Sequence, residues 1–272
     1  MMDLAIKGKS LTKVINGQVI FSDMTIEFPN QSIIQIVGAN GSGKSVTLKM
    51  LAQIYKPTVG NVTINGQVSY APDHLPKSIT LTVQQYLLFV EQLYEVQHSC
   101  FALDDLIQRF HIEAFLSQPI KQCSKGTQQK LNLIQCLLKQ ADIYILDEPF
   151  SGLDKQSVSV LTSILKYLKQ YATVILTSHD EAQHYGLVTH QFKLSTQRLM
   201  KLTEQAQVSY KIIETQFVSQ IDLNELVREF DMEIIEQHST CTLIKVNQQQ
   251  CNHLLKILID KQYDITTVKE WT

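Results

Sequence analysis

The stretch that decides the fold is Ile33-Ile34-Gln35-Ile36-Val37-Gly38-Ala39-Asn40-Gly41-Ser42-Gly43-Lys44-Ser45-Val46-Thr47-Leu48. Its first five residues are short, largely β-branched, and preceded by the turn pair Pro29-Asn30, which predicts a buried parallel strand. Leu48, Leu51, Ala52 and Tyr55 recur at i, i+3, i+4 and i+7, which predicts a helix running on until Pro57 and Gly60 end it. Between strand and helix, Gly38 to Ser45 fits G-x-x-x-x-G-K-[ST] in the setting this phosphate-binding loop requires. Glycines let the loop curl until successive N–H groups and the helix N-terminus aim at one anion, and Lys44 adds a point charge. Ser45 offers a hydroxyl to Mg²⁺. At ordinary abundances chance produces this spacing in roughly one chain of this length in a hundred, so a decorative Gly-rich turn is the weaker reading.

Working outward, Leu4 to Lys7 and Val19 to Phe28 read as strands before the loop. Residues 75–140 read as a helical insertion, with Val83, Leu87, Val90 and Tyr94 marking one apolar face and Leu103, Leu106, Ile107 and Phe110 another. Two further buried strands, Ile143 to Leu146 and Thr173 to Thr177, end in Asp147-Glu148-Pro149 and Ser178-His179-Asp180. Open parallel sheets bind ligands at the carboxyl ends of their strands, and both triplets fall there. Asp147 suits Mg²⁺, and the adjacent Glu148 suits orienting or deprotonating a water. Asp-Glu-Pro is also a plain stop signal after a strand, and a lone histidine such as His179 is more often structural than chemical. The phosphate loop upstream favours the chemical reading of the carboxylates, and the strand-end position favours that of His179.

Composition narrows the partners. The chain has 272 residues, 24 Lys+Arg against 26 Asp+Glu, a net charge of −2, and 44% hydrophobic side chains. A balance this even argues against a nucleic-acid binder. No run approaches the ~20 apolar residues of a membrane-spanning helix, and the N-terminus lacks the layout of a signal peptide, so the expectation is a cytoplasmic protein. The five cysteines show no C-x-x-C spacing and read as reduced, buried thiols.

Three more motifs complete a resemblance to the ATP-binding subunits of ABC transporters. Cys123-Ser124-Lys125-Gly126-Thr127-Gln128-Gln129-Lys130 resembles the family's Leu-Ser-Gly-Gly-Gln signature and its basic follow-on. Ser151-Gly152-Leu153-Asp154 matches its D-loop, and His179 follows a strand as its switch histidine does. The resemblance spans residues 4 to about 200 and implies an α/β P-loop NTPase: a RecA-like core, an antiparallel β subdomain and a helical subdomain at about 75–140. It implies ATP and Mg²⁺ as cofactors, with two such domains, identical or not, meeting head to tail across the nucleotides. Gly38, Ala39, Asn40, Gly41, Ser42, Gly43, Lys44, Ser45 and Val46 would hold ATP, with Ile15 where the family stacks an aromatic residue on adenine. Ser45, Asp147 and Asp73 would hold the metal, and Lys44, Glu148 and His179 would act in catalysis. Ser124, Lys125, Gly126 and Thr127 would face the partner's ATP site, with Asp154 in the D-loop. Ser124 is equally an ordinary N-cap before the helix carrying Leu131, Ile134 and Leu138.

The family also implies a separate membrane subunit, reached by peripheral docking on the inner face of the cell membrane, with Leu75 to Leu88 as the docking segment. The Ser-Lys-Gly signature resembles the bacterial drug- and peptide-export branch, so a peptide, drug or lipid-like substrate is expected. Departures from the pattern are Ile15, Asp73 in place of a glutamine, and Lys125 and Thr127 in the signature. They leave open a weakly catalytic regulatory partner in a heterodimer. A soluble ABC-type protein unconnected with transport is disfavoured by the single P-loop and by the lack of a heptad run between Ser45 and Ser124.

Residues 1–203 read as the ATPase domain, and residues 208–272 as a small accessory domain. There Val208 to Ile213, a helix face at Leu223, Leu226, Val227 and Phe230 behind the N-cap Asp222, and a hairpin of Glu233 to Glu236 with Cys241 to Val246 follow in turn. A helix at Cys251, Leu254, Leu255 and Leu258 and a strand from Ile265 to Trp271 complete a β-α-β-β-α-β order, the ferredoxin-like motif.

Overall fold

The run Ile33–Val37 forms strand β3, buried at every position. The computed structural model describes residues 3–76, 78–94, 100–178, 186–202, 210–216, 223, 226–227, 230, 232–238 and 241–270. They fall into two units, Met1–Thr203 and Glu204–Thr272.

In the first unit a six-stranded sheet has the order β5 (Val68–Ala71), β6 (Ile143–Leu146), β7 (Thr173–Thr177), β3, β8 (His190–Lys193), β9 (Arg198–Lys201). The first five strands run parallel, and β9 returns antiparallel to β8. Strand side chains alternate between faces, so each apolar run feeds two cores. Ile143, Ile145, Ile175, Ile34 and Ile36 join one core with β1 (Leu4–Ile15) and β2 (Gln18–Pro29) through Ile6, Met24 and Phe28. Tyr144, Leu146, Val174, Leu176 and Ile33 join the other. That second core is closed by helices α2 (Val83–Leu93), α3 (Leu103–Arg109), α4 (Lys125–Leu138) and α5 (Lys155–Leu168). A capping box at Thr82 and Gln85 starts α2. A three-stranded antiparallel sheet, β2-β1-β4 (β4, Val59–Ile64), lies on the first core.

Three expectations change. The helix after the phosphate loop, α1, covers only Lys44–Leu51. Gln53 takes a left-handed conformation, φ 61°, and the amides of Ile54 and Tyr55 turn back to the Lys49 carbonyl. This is how helices stop. Tyr55 therefore leaves the apolar face and lies against the ammonium groups of Lys13 and Lys49. Strand β4, which the breakers Pro57 and Gly60 concealed, pairs with β1 from Thr12↔Val59 to Ile6↔Ile64. Cys123, Cys136 and Cys251 are buried, but Cys100 is exposed and Cys241 intermediate, and all five are free. Among the described residues no helix is long and apolar enough to cross a membrane.

The second unit holds a four-stranded sheet ordered β11 (Met232–Gln237), β12 (Thr242–Asn247), β10 (Tyr210–Thr215), β13 (Ile265–Glu270), every neighbouring pair antiparallel. Helix α6 (Gln248–Asp260) packs Cys251, Leu254 and Leu258 on Ile213 and Val246. The N-cap residue Asp222 lies outside the described residues, whereas Leu223, Leu226 and Phe230 are buried.

Candidate functional site

Because β3, β5, β6 and β7 are parallel, their carboxyl ends share one edge of the sheet, with Ala71 beside Leu146 and Leu146 beside Leu176. From β3 the chain enters the loop Gly38 to Gly43. Gly41 and Gly43 have φ of 78° and 95°, which side-chain-bearing residues rarely adopt, and Gly43 caps α1 with no side-chain hydrogen bond. The first turn of α1 therefore keeps its N–H groups aimed out of the loop. Lys44 stands at this partially positive end, where a cation is disfavoured. Its Nζ donates to Gly38 O at 2.8 Å and Ala39 O at 3.3 Å. A Cβ on Gly43 would lie 2.6 Å from Ile20 Cγ2, so Ile20 packs directly on the loop.

A cavity of about 390 Å³ opens here, walled by Asn40, Gly41, Gly43, Lys44, Ser45 and Val46, with Ile20, Asp73 and Glu148 on its other sides. The structure thus brings Asp73 and Glu148 to the phosphate loop. It does not bring Ile15, which closes the β1–β2 hairpin opposite Gln18. Ile20, missed in the sequence, takes the wall.

Asp147 is 3% exposed, and its Oδ1 accepts from Thr177 Oγ1 at 2.8 Å. The same Oγ1 accepts the Glu148 N–H at 2.9 Å. One β7 hydroxyl therefore ties both adjacent carboxylate residues to the neighbouring strand. Glu148 sits at φ 50°, a left-handed conformation that non-glycine residues adopt at a cost and that concentrates at functional sites. Gln129 Nε2 donates to Glu148 O at 3.1 Å and Pro149 O at 3.2 Å. Burial first, then the charges of Asp147 and Asp73, push the Tyr70 phenol above its ordinary range, so it stays neutral beside both carboxylates. His74, unmarked by any motif, lies 3.2 Å from Asp73 Oδ2. Ser45, Asp73 and Glu148 give the cavity wall hard oxygens, the donor type a Mg²⁺ ion takes, whereas Asp147 lies buried behind that wall, and among the described residues no three Asp, Glu, His or Cys side chains gather into one metal-holding group. His179 lies outside the described residues.

The signature segment abuts the D-loop. Ser124 caps α4 by accepting the Thr127 N–H at 3.1 Å, and the two hydroxyls lie 3.0 Å apart. Thr127 is buried, so only Ser124, Lys125 and Gly126 of the four signature residues present surface. A Cβ on Gly126 would lie 2.5 Å from Gly152 O, which explains the glycine, and Lys125 Nζ donates to Ser151 Oγ at 2.9 Å. Asp154 caps α5 through Ser157 N at 2.8 Å and pairs with Lys130 Nζ at 2.9 Å. Those two contacts, the Ser157 amide first and Lys130 second, hold its carboxyl well below the usual carboxylate range.

Asp154→Ala is expected to cost roughly 1 kcal/mol in urea unfolding, chiefly as a lost cap. Asp154→Asn keeps the cap and costs less, because a half-exposed ion pair is screened by solvent. Since the folded pKa is depressed, the charge-dependent part is fully present above the unfolded value of ~3.9 and fades as pH falls below it. Wild type and Asp154→Asn therefore converge in stability toward acid.

Residues 21–151 match the family model described as ABC transporter. The uncharacterized ABC transporter ATP-binding protein MJ1023 of Methanocaldococcus jannaschii is 34% identical over 178 residues, 64% of this chain and 68% of that protein. The cytochrome c biogenesis ATP-binding export protein CcmA of Haemophilus influenzae is 29% identical over 177 residues, 60% of this chain and 84% of that protein. Among solved structures, one titled as the ATP binding subunit of an ABC transporter superposes with a TM-score of 0.65 at 25% identity, over 73% of this chain and 90% of that one.

Proposed function

We infer, because this chain belongs to the ABC transporter family of ATP-binding proteins, that it hydrolyses ATP to drive a separate membrane-embedded subunit. One observation carries the reading: the phosphate loop, Ser45, Asp73 and Glu148 wall a single cavity. The loop amides, the α1 N-terminus and Lys44 bind the phosphates. Ser45, Asp147 and Asp73 would hold Mg²⁺, whose charge offsets that of the phosphates. Glu148, its backbone fixed by Thr177 and Gln129, orients a water and takes its proton, and His179 contacts the γ-phosphate. Ser124, Lys125 and Gly126 face the nucleotide of a second copy or a homologous partner, so a dimer encloses the ATP.

The docking segment shifts relative to the sequence expectation. Leu75 is buried, whereas Leu81, Leu88, Phe89 and Leu93 are 36–60% exposed on and beside α2. An apolar strip of this kind suits a membrane subunit's cytoplasmic helix. Residues 1–203 act as the ATPase domain and residues 208–272 as a ferredoxin-like accessory domain, in keeping with the sheet order and antiparallel pairing of β10–β13. Export of a peptide, drug or lipid-like substrate is favoured by the Ser124-Lys125-Gly126 signature, and export as such is in keeping with the similarity to CcmA, an ATP-binding export protein of cytochrome c biogenesis. The working place is then the cytoplasmic face of the cell membrane.

The test is purification of the tagged full-length chain from detergent-solubilised membranes. An integral membrane protein is expected to accompany it and to raise its ATP turnover. A chain that leaves the membranes alone, with turnover unchanged by their addition, would remove the transport half of the reading.

A further inference from the structure

Helix α4 carries a polar stripe through an apolar setting. Gln129, Asn132 and Gln135 of the helix and Lys139, the residue that caps its C-terminus, follow one another at three- and four-residue spacings, while Leu131, Leu133, Ile134, Leu137 and Leu138 enter the core. Asn132, Gln135 and Lys139 face β5, an edge strand whose outer carbonyls have no strand partner among the described residues. Lys139 Nζ donates to Val68 O at 2.7 Å, Gln135 Nε2 to Tyr70 O at 3.0 Å, and Asn132 Nδ2 to Pro72 O. These are alternate residues of the strand and its exit, met by successive turns of a helix running the opposite way. One helical turn rises ~5.4 Å and two strand residues ~6.6 Å, close enough for flexible side chains to bridge the difference.

The rungs differ in what they hold. Lys139 grips the start of β5, far from the cavity. Asn132, 0% exposed, grips the carbonyl of the peptide that leads into Asp73, and Gln135 lies 3.5 Å from the Asn132 amide oxygen. One turn nearer the signature, Gln129, 4% exposed, grips the carbonyl of the peptide that leads out of Glu148. Peptide planes are rigid, so fixing a carbonyl fixes the backbone of the residue it joins. Buried amides left unpaired are expensive, so both grips hold in the resting fold.

We propose that Asn132 and Gln129 are positioning residues, each locking the peptide of one cavity carboxylate, Asp73 and Glu148 respectively, to the helix capped by Ser124. The inference rests on the ATPase reading and adds to it: the end of α4 that faces the partner's nucleotide is tied through two buried amides to the peptides of the two acidic residues that wall its own cavity. Asn132 acts on the metal side and Gln129 on the water side.

The test uses the purified full chain, with Mn²⁺ as the metal probe. ATP affinity without metal, Mn²⁺ affinity of the ATP-loaded protein by electron paramagnetic resonance titration, and kcat are measured. Asn132→Leu and Asn132→Ala remove the donor, and whichever keeps the wild-type circular dichroism is used. That variant is expected to lose roughly ten-fold in Mn²⁺ affinity with metal-free ATP affinity unchanged. Gln129→Leu is expected to lose roughly ten-fold or more in kcat with Mn²⁺ affinity unchanged. Lys139→Met breaks the far rung and is expected to lower the melting temperature while leaving ATP and Mn²⁺ affinities and kcat as in wild type. If the Asn132 and Gln129 variants behave like Lys139→Met, their role is structural and the proposal is overturned. A wild-type chain that binds no ATP overturns the ATPase reading as well, which is a distinguishable result.

Discussion

Lys44→Ala is expected to abolish ATP binding at concentrations that saturate the wild type, a loss of about 3 kcal/mol or roughly a hundred-fold in Kd. The ammonium is the cavity's one cation among its described lining residues, facing Asp73 and Glu148. Without it the loop N–H groups and the α1 N-terminus alone oppose the two carboxylates of the wall. Part of what Lys44 gives to phosphate is offset by the bonds to Gly38 O and Ala39 O that it must loosen, which is why the figure is no larger. The folded chain itself should be little affected, since Ala39 is exposed and Gly38 half-buried, and water replaces the ammonium at both carbonyls. Isothermal titration with ATP, with circular dichroism as the folding control, checks both halves.

Glu148→Gln is expected to keep ATP binding and to lower kcat by about 10²–10⁴. The substitution is nearly isosteric, and it leaves in place two contacts made by this residue's backbone: N–H to Thr177 Oγ1, carbonyl from Gln129 Nε2. Its left-handed backbone is no obstacle. Gln31, Gln53, Gln197 and Gln262 all occupy φ between 52° and 61° in this same chain. What changes is the capacity to accept a proton. Removing one negative charge from a cavity that also holds Asp73 favours the polyanion, so ATP affinity should be equal or higher. Loss of binding in parallel with turnover would show that Glu148 shapes the cavity instead of acting on water.

The parts of this site legible in the sequence are those encoded locally. The phosphate loop declares itself by glycine spacing between a five-residue apolar strand and a helix. Asp147 and Glu148 declare themselves by ending a buried strand. Ser124 declares itself as the residue before an amphipathic helix, and the structure makes it the α4 cap. The parts that were not legible are held together across the chain. Thr177, Gln129 and Asn132 meet partners 29, 19 and 60 residues away, and no local pattern marks a polar residue whose only signal is where it ends up buried. The same holds for Ile20 against Ile15. Both are aliphatic residues beside one hairpin, and only the close approach of Gly43 to Ile20 decides which of them meets the cavity. The helix end at Leu51 was hidden because Ala52 and Tyr55 continue the apolar period past a backbone reversal at Gln53. Strand β4 was hidden because its pairing partner is fifty residues upstream and its own Gly60 reads as a breaker. That glycine is needed, since a Cβ there would lie 2.4 Å from Ser10 O of β1.

In the proposed reaction this cavity directs water onto the terminal phosphate of ATP. The measurement that meets it most directly is a turnover of MgATP by the purified wild-type chain in ¹⁸O-enriched water, followed by mass spectrometry of the products. The expected products are inorganic phosphate carrying one solvent-derived oxygen and ADP carrying none, with neither product from Glu148→Gln within the wild-type turnover time. ATP recovered intact from the wild type, or a Glu148→Gln protein that releases labelled phosphate as fast, would contradict it.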